Sequence, residues 1–243
     1  MTSDPTFDCL SPALLRDRVV VITGASRGIG RAAALSLGRA GARVGAIARD
    51  PDALGDLEKE FSRLGLQGLA LSADVTERRQ LAAAVGKIRA TFGPINALVA
   101  NAGVFGAADV LEIEEAELDR LLAVNLKGTL YAMEETVPDM KEANYGKVLT
   151  VASPAAVVGS VVGPHYAASK GAILGLTRSA ARQLAPHGVR VNCISPAART
   201  DMFEDLVGHM SRQARDAWLA KFPIGVPTPE QVAGAYVFLC SAL

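Results

Sequence analysis

The sequence predicts an α/β protein in which helices cover both faces of a doubly wound parallel sheet. Short apolar runs alternate with amphipathic segments along the 243 residues, and most of the runs continue without polar alternation. Such runs are typical of strands that are buried on both faces. The alternation of strand and helix implies right-handed βαβ units in a single sheet. The runs lie at residues 18–23, 43–48, 68–73, 96–100, 147–152 and 189–194.

The segments between these runs have the spacing of helices. Apolar side chains recur every three or four positions in residues 76–92 and 169–184, which places them on one face of each helix. The second of these helices is predicted to extend over residues 164–185, and two others are predicted at residues 114–142 and 230–241. Several glycines stand at predicted helix ends, where a left-handed conformation is favoured: Gly41, Gly65, Gly93 and Gly188. We therefore predict one Rossmann-type domain over residues 18–243, preceded by a loose tail at residues 1–17.

Composition argues against several classes of function. Lys plus Arg and Asp plus Glu each count 25, so bulk charge does not attract nucleic acid or an anionic membrane. The cysteines are far apart and the histidines are scattered, which argues against a disulfide framework or a metal site. These residues are Cys9, Cys193, Cys240, His165, His187 and His209. No apolar stretch is long enough to span a bilayer, and the first 17 residues lack the apolar core of a signal peptide. We expect a cytoplasmic protein.

A glycine-rich turn, TGASRGIG, follows the first predicted strand and opens the first predicted helix. Gly24 permits a tight turn, Gly28 allows the backbone to approach a pyrophosphate, and Gly30 lets the helix pack closely on the strand. The helix N-terminus then offers N–H groups and the positive end of its dipole to a phosphate. The alternative is an ordinary glycine turn, but its position between strand and helix favours a dinucleotide site.

The spacing TGxxxGxG resembles that of the short-chain dehydrogenase/reductase family, and further motifs extend the resemblance over about residues 18–239. Asn101-Ala102-Gly103 follows the fourth strand, although Ala100 stands where a second Asn is common. Later matches are Asp74-Val75 after the third strand, Asn125 in VNLKG, Ser153 at the end of the fifth strand, and Tyr166 and Lys170 in YAASK. The resemblance implies a nicotinamide-dependent oxidoreductase in which residues 18–243 bind the cofactor and carry the catalytic groups.

The candidate catalytic residues centre on the YAASK motif, whose Tyr166 and Lys170 share one face of a helix. A nearby ammonium and a cationic nicotinamide both favour the phenolate, so we expect a lowered pKa for Tyr166 and a role in proton transfer. Ser153 lies at a strand end, where its hydroxyl can bond the substrate oxygen. By resemblance, Lys170 also binds the nicotinamide ribose and Asn125 anchors a water in the proton relay. Each residue alone is compatible with a packing or surface role, but the combination favours catalysis.

Cofactor binding is also implied by the resemblance. NAD-preferring sites often carry an acidic residue at the end of the second strand, where this chain has Ala48. Arg49 and Arg27 would instead favour a 2′-phosphate, which predicts NADP(H). NAD is the alternative if the strand ends late enough for Asp50 to serve the ribose, or if both arginines are merely exposed. The cofactor-binding residues implied are Gly24, Ser26, Arg27, Gly28, Ile29, Gly30, Arg49, Asp74, Val75, Asn101, Ala102, Gly103, Tyr166, Lys170, Pro196 and Thr200.

Three features depart from the family pattern. Pro196 is followed by Ala197 rather than by the usual glycine, and Thr200 comes one residue early, so we expect a different backbone path beside the nicotinamide. Pro154 follows Ser153 and is expected to reshape that wall of the pocket. The sequence stops at Leu243, whereas family members usually continue into a seventh strand.

The predicted function is hydride transfer between NADP(H) and a ketone or secondary alcohol, without a metal. The leading interpretation is a reductase that resembles 3-oxoacyl reductases, and the alternatives are an NAD-dependent alcohol dehydrogenase and a non-catalytic nucleotide sensor. Residues 200–221 are expected to cover the substrate, and their apolar stripe suits an acyl, aliphatic or cyclic ketone, or equally core packing or a subunit contact. The helices at 114–142 and 164–185 are expected to pair around a twofold axis in a homodimer or homotetramer.

Overall fold

The computed structural model describes residues 13–242, which form one parallel sheet with helices on both faces. The strands follow the order β3-β2-β1-β4-β5-β6. Strands β1 to β3 extend the sheet toward one edge, and β4 to β6 extend it from β1 toward the other edge. A doubly wound sheet of this kind opens a crevice at the carboxyl ends of the strands, between β1 and β4. The strands are β1 (Val19–Thr23), β2 (Arg43–Ala48), β3 (Gly68–Ser72), β4 (Ala97–Ala100), β5 (Gly146–Val151) and β6 (Val189–Ile194).

The two faces of the sheet bury two separate apolar cores. On β1, Val19 and Val21 point to one core while Val20 and Ile22 point to the other, as alternation along a strand requires. All residues of β1, β4 and β5 are buried, as the apolar runs predicted, whereas the edge strands β3 and β6 include half-buried and exposed residues. The helices α3 (Arg78–Phe92), α5 (Gly128–Glu142) and α7 (Pro164–Leu184) cover the first core, and α1 (Gly28–Arg39), α2 (Pro51–Arg63) and α10 (Pro229–Cys240) cover the second.

The predicted helix over residues 114–142 is interrupted in the structure. It consists of α4 (Glu115–Leu122), a five-residue π-helical segment (Ala123–Lys127) and α5. The hydroxyl of Thr129 donates to the carbonyl of Asn125 at 3.0 Å, which satisfies an acceptor inside the wider segment. Local π-helical geometry is frequent at functional sites because it changes the direction of one side chain.

The remaining elements are short. They are α6 (Ala155–Val158), a 3₁₀ turn (Ala185–His187), α8 (Asp201–Gly208) and α9 (Arg212–Leu219), so the predicted covering segment is helical. The four glycines predicted at helix ends all have positive φ, between 66° and 95°. Of the predicted tail, residues 1–12 lie outside the described residues, whereas Leu15 is buried in the core and its N–H donates to Ala40 at 2.8 Å.

Two findings bear on the class of protein. Within residues 13–242, no helix has both the length and the apolar character needed to cross a bilayer. The same residues bring no three His, Cys, Asp or Glu side chains together in a group that could hold a metal ion.

Candidate active site

The glycine-rich turn joins β1 to α1 at the carboxyl edge of the sheet. Gly24 and Gly28 adopt φ values of 67° and 54°, which side chains other than glycine rarely tolerate. A Cβ on Gly30 would collide with the carbonyl oxygen of Gly24, so close packing of helix on strand requires glycine there. Helix α1 has no side-chain cap at Arg27 and no acidic residue in its first turn. Its unpaired N–H groups and dipole therefore fit the phosphates of a dinucleotide.

Asn101 holds the glycine turn in place from the end of β4. Its side-chain Nδ2 donates to the carbonyls of Thr23 and Gly24, at 3.1 and 3.2 Å. The hydroxyl of Thr23 accepts in return from the backbone N–H groups of Asn101 and Ala102, each at 3.1 Å. The Asn101-Ala102-Gly103 motif thus fixes the position of the turn, and Ser26 and Ile29 lie half-buried within that turn.

Asn125 lies in the π-helical segment and faces the centre of the crevice. Its side chain is 1% exposed, and its Oδ1 accepts from the Val104 N–H at 2.8 Å. Its Nδ2 donates to the Val104 carbonyl at 3.1 Å and to the Ser169 hydroxyl at 2.9 Å. The segment therefore presents one amide to both the loop after β4 and the helix that carries the YAASK motif.

Lys170 lies on α7 beside Asn125. Its Nζ donates to the carbonyl of Val151, the last residue of β5, at 2.8 Å, and the side chain is almost fully buried. A Cβ on Gly103 would stand 3.2 Å from this Nζ and 3.3 Å from the Oδ1 of Asn125. The lysine and the asparagine therefore meet beside Gly103, where a larger residue would crowd both groups.

Tyr166 and Ser153 complete the group. The Ser153 hydroxyl accepts from the Ala155 N–H at 3.2 Å and interacts with the phenol of Tyr166. Phe105, in the loop after β4, packs edge-on against Tyr166 with ring centroids 5.2 Å apart. The structure thus brings together all four residues predicted to be catalytic. Sequence reasoning missed Phe105 and Ser169, whose contacts depend on tertiary packing.

Thr200 lies directly over the glycine turn in spite of its early position in the sequence. A Cβ on Gly28 would stand 3.2 Å from the Thr200 methyl group. The Thr200 hydroxyl caps α8 by accepting from the Phe203 N–H at 3.2 Å, and the preceding N–H of Arg199 donates to Pro227 at 2.8 Å. The loop from Pro196 to Thr200 is therefore anchored at the end near the turn.

The edge of the site beside β2 carries charged groups. Arg27 faces Asp201 and Arg49 faces Asp74, each pair at 3.7 Å with exposed guanidinium groups. Asp74 also accepts from the N–H and hydroxyl of Thr76, both at 2.8 Å. Strand β2 ends at Ala48, and the Asp50 carboxylate caps α2 by accepting from two backbone N–H groups at 3.1 Å. Val75, next to Asp74, packs on Gly128 of α5.

A family model described as short chain dehydrogenase matches residues 18–210. The chain belongs to the short chain dehydrogenase family. Its fold agrees: the crystal structure of levodione reductase superposes with a TM-score of 0.88 at 29% identity, covering 93% of this chain and 92% of that one. The chain is therefore a member of an oxidoreductase family, as the sequence motifs predicted.

Relatives of the chain carry names that imply different activities. The chain is 36% identical to 2-(S)-hydroxypropyl-CoM dehydrogenase 3 of Xanthobacter autotrophicus over 93% of its own length and 91% of that protein. It is 34% identical to a 3-oxoacyl-(acyl-carrier-protein) reductase of Thermotoga maritima, over 93% and 92%. It is also 37% identical to a Xanthobacter protein described as inactive 2-(S)-hydroxypropyl-CoM dehydrogenase 2, over 84% and 89%. Similarity at this level therefore coexists with loss of activity.

Burial dominates the electrostatics of the dehydrogenase site. Desolvation raises the pKa of Tyr166, and the hydrogen bond from Ser153 opposes that rise only in part. The sequence predicted a lowered pKa for Tyr166, and without a cofactor this prediction is wrong. The Lys170 ammonium donates to the Val151 carbonyl instead of lying against the phenol. Desolvation also lowers the pKa of Lys170, from 10.5 to about 8, because burial disfavours its charged form.

The lowered pKa of Lys170 predicts an unusual rise in stability with pH. Between about pH 8 and 10.5 the unfolded chain keeps a proton that the folded chain has lost, so the free energy of unfolding increases with pH there. At 1.36 kcal/mol per unit the full gain is about 3 kcal/mol. Urea unfolding from pH 7 to 10 should show this gain relative to Lys170→Met, which lacks the titrating group. Parallel pH profiles for the two proteins would contradict the assignment.

Proposed function

We propose that this dehydrogenase reduces ketones with NADP(H), using Tyr166 as the proton donor. The observation that carries the proposal is the convergence of Tyr166, Ser153, Lys170 and Asn125 beside a glycine turn with an uncapped helix N-terminus. The nicotinamide, when bound, supplies the hydride in reduction or accepts it in oxidation. Binding would fall to the glycine turn, to Asn101-Ala102-Gly103, to Asp74-Val75 and to the loop from Pro196 to Thr200.

The chain's own groups suit proton donation to a carbonyl oxygen. Burial raises the pKa of the Tyr166 phenol, so the group carries a proton that it can donate near neutral pH. Ser153 would donate its hydroxyl proton to the same substrate oxygen and stabilise the charge that develops there. Lys170 uses one donor on Val151 and has two more to orient the nicotinamide ribose. Asn125, held by Val104 and Ser169, would anchor a water that resupplies protons.

The edge beside β2 supports NADP(H) over NAD. Ala48 ends the strand without a carboxylate for a ribose 2′-hydroxyl, and Asp50 is engaged in capping α2. Arg27 and Arg49 are exposed and weakly paired, so both can turn to a 2′-phosphate. An NAD-dependent alcohol dehydrogenase is the second candidate, favoured by the two carboxylates, Asp74 and Asp201, that face these arginines.

The substrate side supports an apolar ketone. The loops after β4 and β5 expose large apolar side chains, among them Leu111, Val157, Val158 and Val161. Where such groups adjoin one another, they suit a binding surface for an apolar ligand. In α8, Phe203 and Val207 are buried, and Phe203 packs against Trp218 of α9 at 5.4 Å, so part of the apolar stripe serves internal packing. A panel of 3-oxoacyl thioesters and of aliphatic and cyclic ketones, tested with NADPH and NADH, identifies the substrate class. Failure of every substrate would favour a non-catalytic nucleotide-binding protein.

The first prediction tests Tyr166 as the acid. Tyr166→Phe removes the transferable proton but keeps the ring against Phe105, so kcat for ketone reduction should fall by roughly 10²–10⁴-fold. Binding of NADPH, measured by fluorescence titration, should be unchanged because the glycine turn is intact. Near-normal turnover by a folded Tyr166→Phe protein would eliminate Tyr166 as the proton donor.

The second prediction tests cofactor choice. The wild-type kcat/KM should favour NADPH, and the double change Ala48→Asp with Arg49→Ile should shift the preference toward NADH by supplying a ribose acceptor and removing a phosphate ligand. Asp50→Ala is the matched control, since it removes a neighbouring carboxylate that caps α2. It should lower the free energy of unfolding by about 1 kcal/mol and leave the cofactor preference unchanged. A wild-type preference for NADH would refute the proposal.

The third prediction concerns assembly, for which we propose a dimer through α5 and α7 or a tetramer built on it. The outer face of α7 carries small residues, and a Cβ on Gly171 or Gly175 would meet open space in one chain. Gly175→Glu therefore leaves the monomer's packing intact but places a charge in the proposed interface. Light scattering should give a dimer or tetramer for the wild type and a smaller species for Gly175→Glu. Gly86→Glu, at an equally open position on α3, should keep the wild-type mass. A monomeric wild type at micromolar concentration would overturn the proposal.

A further inference from the structure

His165 directly precedes Tyr166 in the first turn of α7, and its imidazole is buried. The side chain is 2% exposed, and neither ring nitrogen has a hydrogen-bond partner among residues 13–242. An imidazole needs at least one donor and one acceptor partner, so burial without partners is costly. A histidine that served only for packing would be replaced at no loss by an apolar side chain of similar size.

The polar surroundings of His165 point to a specific partner. Its Nε2 lies 2.8 Å from the position that a Cβ on Gly106 would take, and the Oε1 of Glu117 on α4 contacts the same position. A methyl group of Leu121 closes the third side at 3.2 Å. The imidazole nitrogen and the carboxylate oxygen therefore converge on the same point beside Gly106.

Glu117 connects this niche to the face of Tyr166. Its carboxylate accepts two hydrogen bonds from Arg120, each at 2.7 Å, and Arg120 also donates to the Phe105 carbonyl at 2.9 Å. These charge-assisted bonds and the neighbouring imidazole hold the pKa of Glu117 below its ordinary value, with Arg120 the largest cause. Phe105 packs on Tyr166, so the contacts run from His165 through Glu117 and Arg120 back to the adjacent tyrosine.

The same loop is fastened to the residues that lead into α7. The Ala108 N–H donates to the Val162 carbonyl at 3.0 Å. A Cβ on Gly163 would lie 2.6 Å from the Gly106 carbonyl oxygen, so the two backbones are in close contact. The loop after β4 is therefore packed against the residues that lead into α7, and the His165 niche lies between the two.

We propose that His165 is a positioning residue for Tyr166, acting through a hydrogen bond from its Nε2 to the Glu117 carboxylate beside Gly106, which a small shift of the two side chains completes. This contact is called the bridge below. The bridge fixes the loop after β4, and with it the contact of Phe105 with the phenol ring. This contact holds the Tyr166 hydroxyl beside Ser153. The proposal rests on the function proposed above, in which Tyr166 donates the proton.

A double-substitution cycle tests the bridge on the full-length protein. His165→Leu, Glu117→Gln and the double variant are compared for kcat, for KM of ketone and NADPH, and for the free energy of unfolding in urea. We expect His165→Leu to lower kcat about tenfold with KM for NADPH unchanged, and the double variant to be no slower than the slower single variant. His165→Gln, which keeps a donor and an acceptor, should recover most of the lost rate. His187→Leu and Glu115→Gln, outside the niche, should match the wild type.

The outcomes separate this inference from the proposed function. Unchanged kcat and an equal or higher unfolding free energy in His165→Leu, while Tyr166→Phe is impaired, would reduce His165 to a packing residue. Additive effects in the cycle would also overturn the bridge. If His165→Leu does not fold, the cycle is run with His165→Phe, which also lacks the ring nitrogens, and an undiminished kcat in Glu117→Gln alone would reject the proposal. If the wild type reduces no ketone, the proposed function fails, and additivity of the unfolding free energies still decides whether the bridge exists.

Discussion

The hydrogen bonds between Asn101 and the turn after β1 are the constraint on which the site depends. The side-chain amide reaches the carbonyls of Thr23 and Gly24, and the Thr23 hydroxyl bonds back to the Asn101 backbone. These bonds join the carboxyl ends of β1 and β4, where the order of the sheet reverses. They leave so little room that Gly30 must lack a side chain. Both the glycine turn and the loop that carries Gly103 and Phe105 take their positions from this contact.

Much of the fold was predictable from sequence because strands buried on both faces leave a strong local signal. The observed strands differ from the apolar runs by at most one residue at either end. The interruption of the helix around Asn125 was not predictable, since it depends on how Thr129 and the loop after β4 meet the segment. Parallel topology likewise brings Ser153, Tyr166 and Lys170 to one edge, so their convergence could be expected from the order of the strands.

Properties set by burial could not be obtained from the sequence. Four-residue spacing placed Lys170 near Tyr166, but the ammonium is directed to the Val151 carbonyl, and desolvation controls the pKa of both groups. His165 had no ligand-like spacing with other residues and so carried no signal. Its significance comes from the niche formed by Gly106 and Glu117, which are distant in sequence. A buried ammonium and a buried imidazole both cost stability, as groups retained for function often do.

The charged edge beside β2 shows how a weak interaction can leave a site open to a stronger one. Exposed ion pairs at 3.7 Å, such as Arg27 with Asp201 and Arg49 with Asp74, contribute little because water screens them. A phosphate carries more charge than a carboxylate and can form a bidentate contact with a guanidinium group. Such a contact is stronger than an ion pair with a single carboxylate at 3.7 Å. Asp74 also accepts two hydrogen bonds from Thr76 on its other carboxylate oxygen, so the carboxylate keeps these partners if Arg49 leaves it. These two ion pairs are therefore weak enough for a 2′-phosphate to displace, if NADP(H) is the cofactor as proposed.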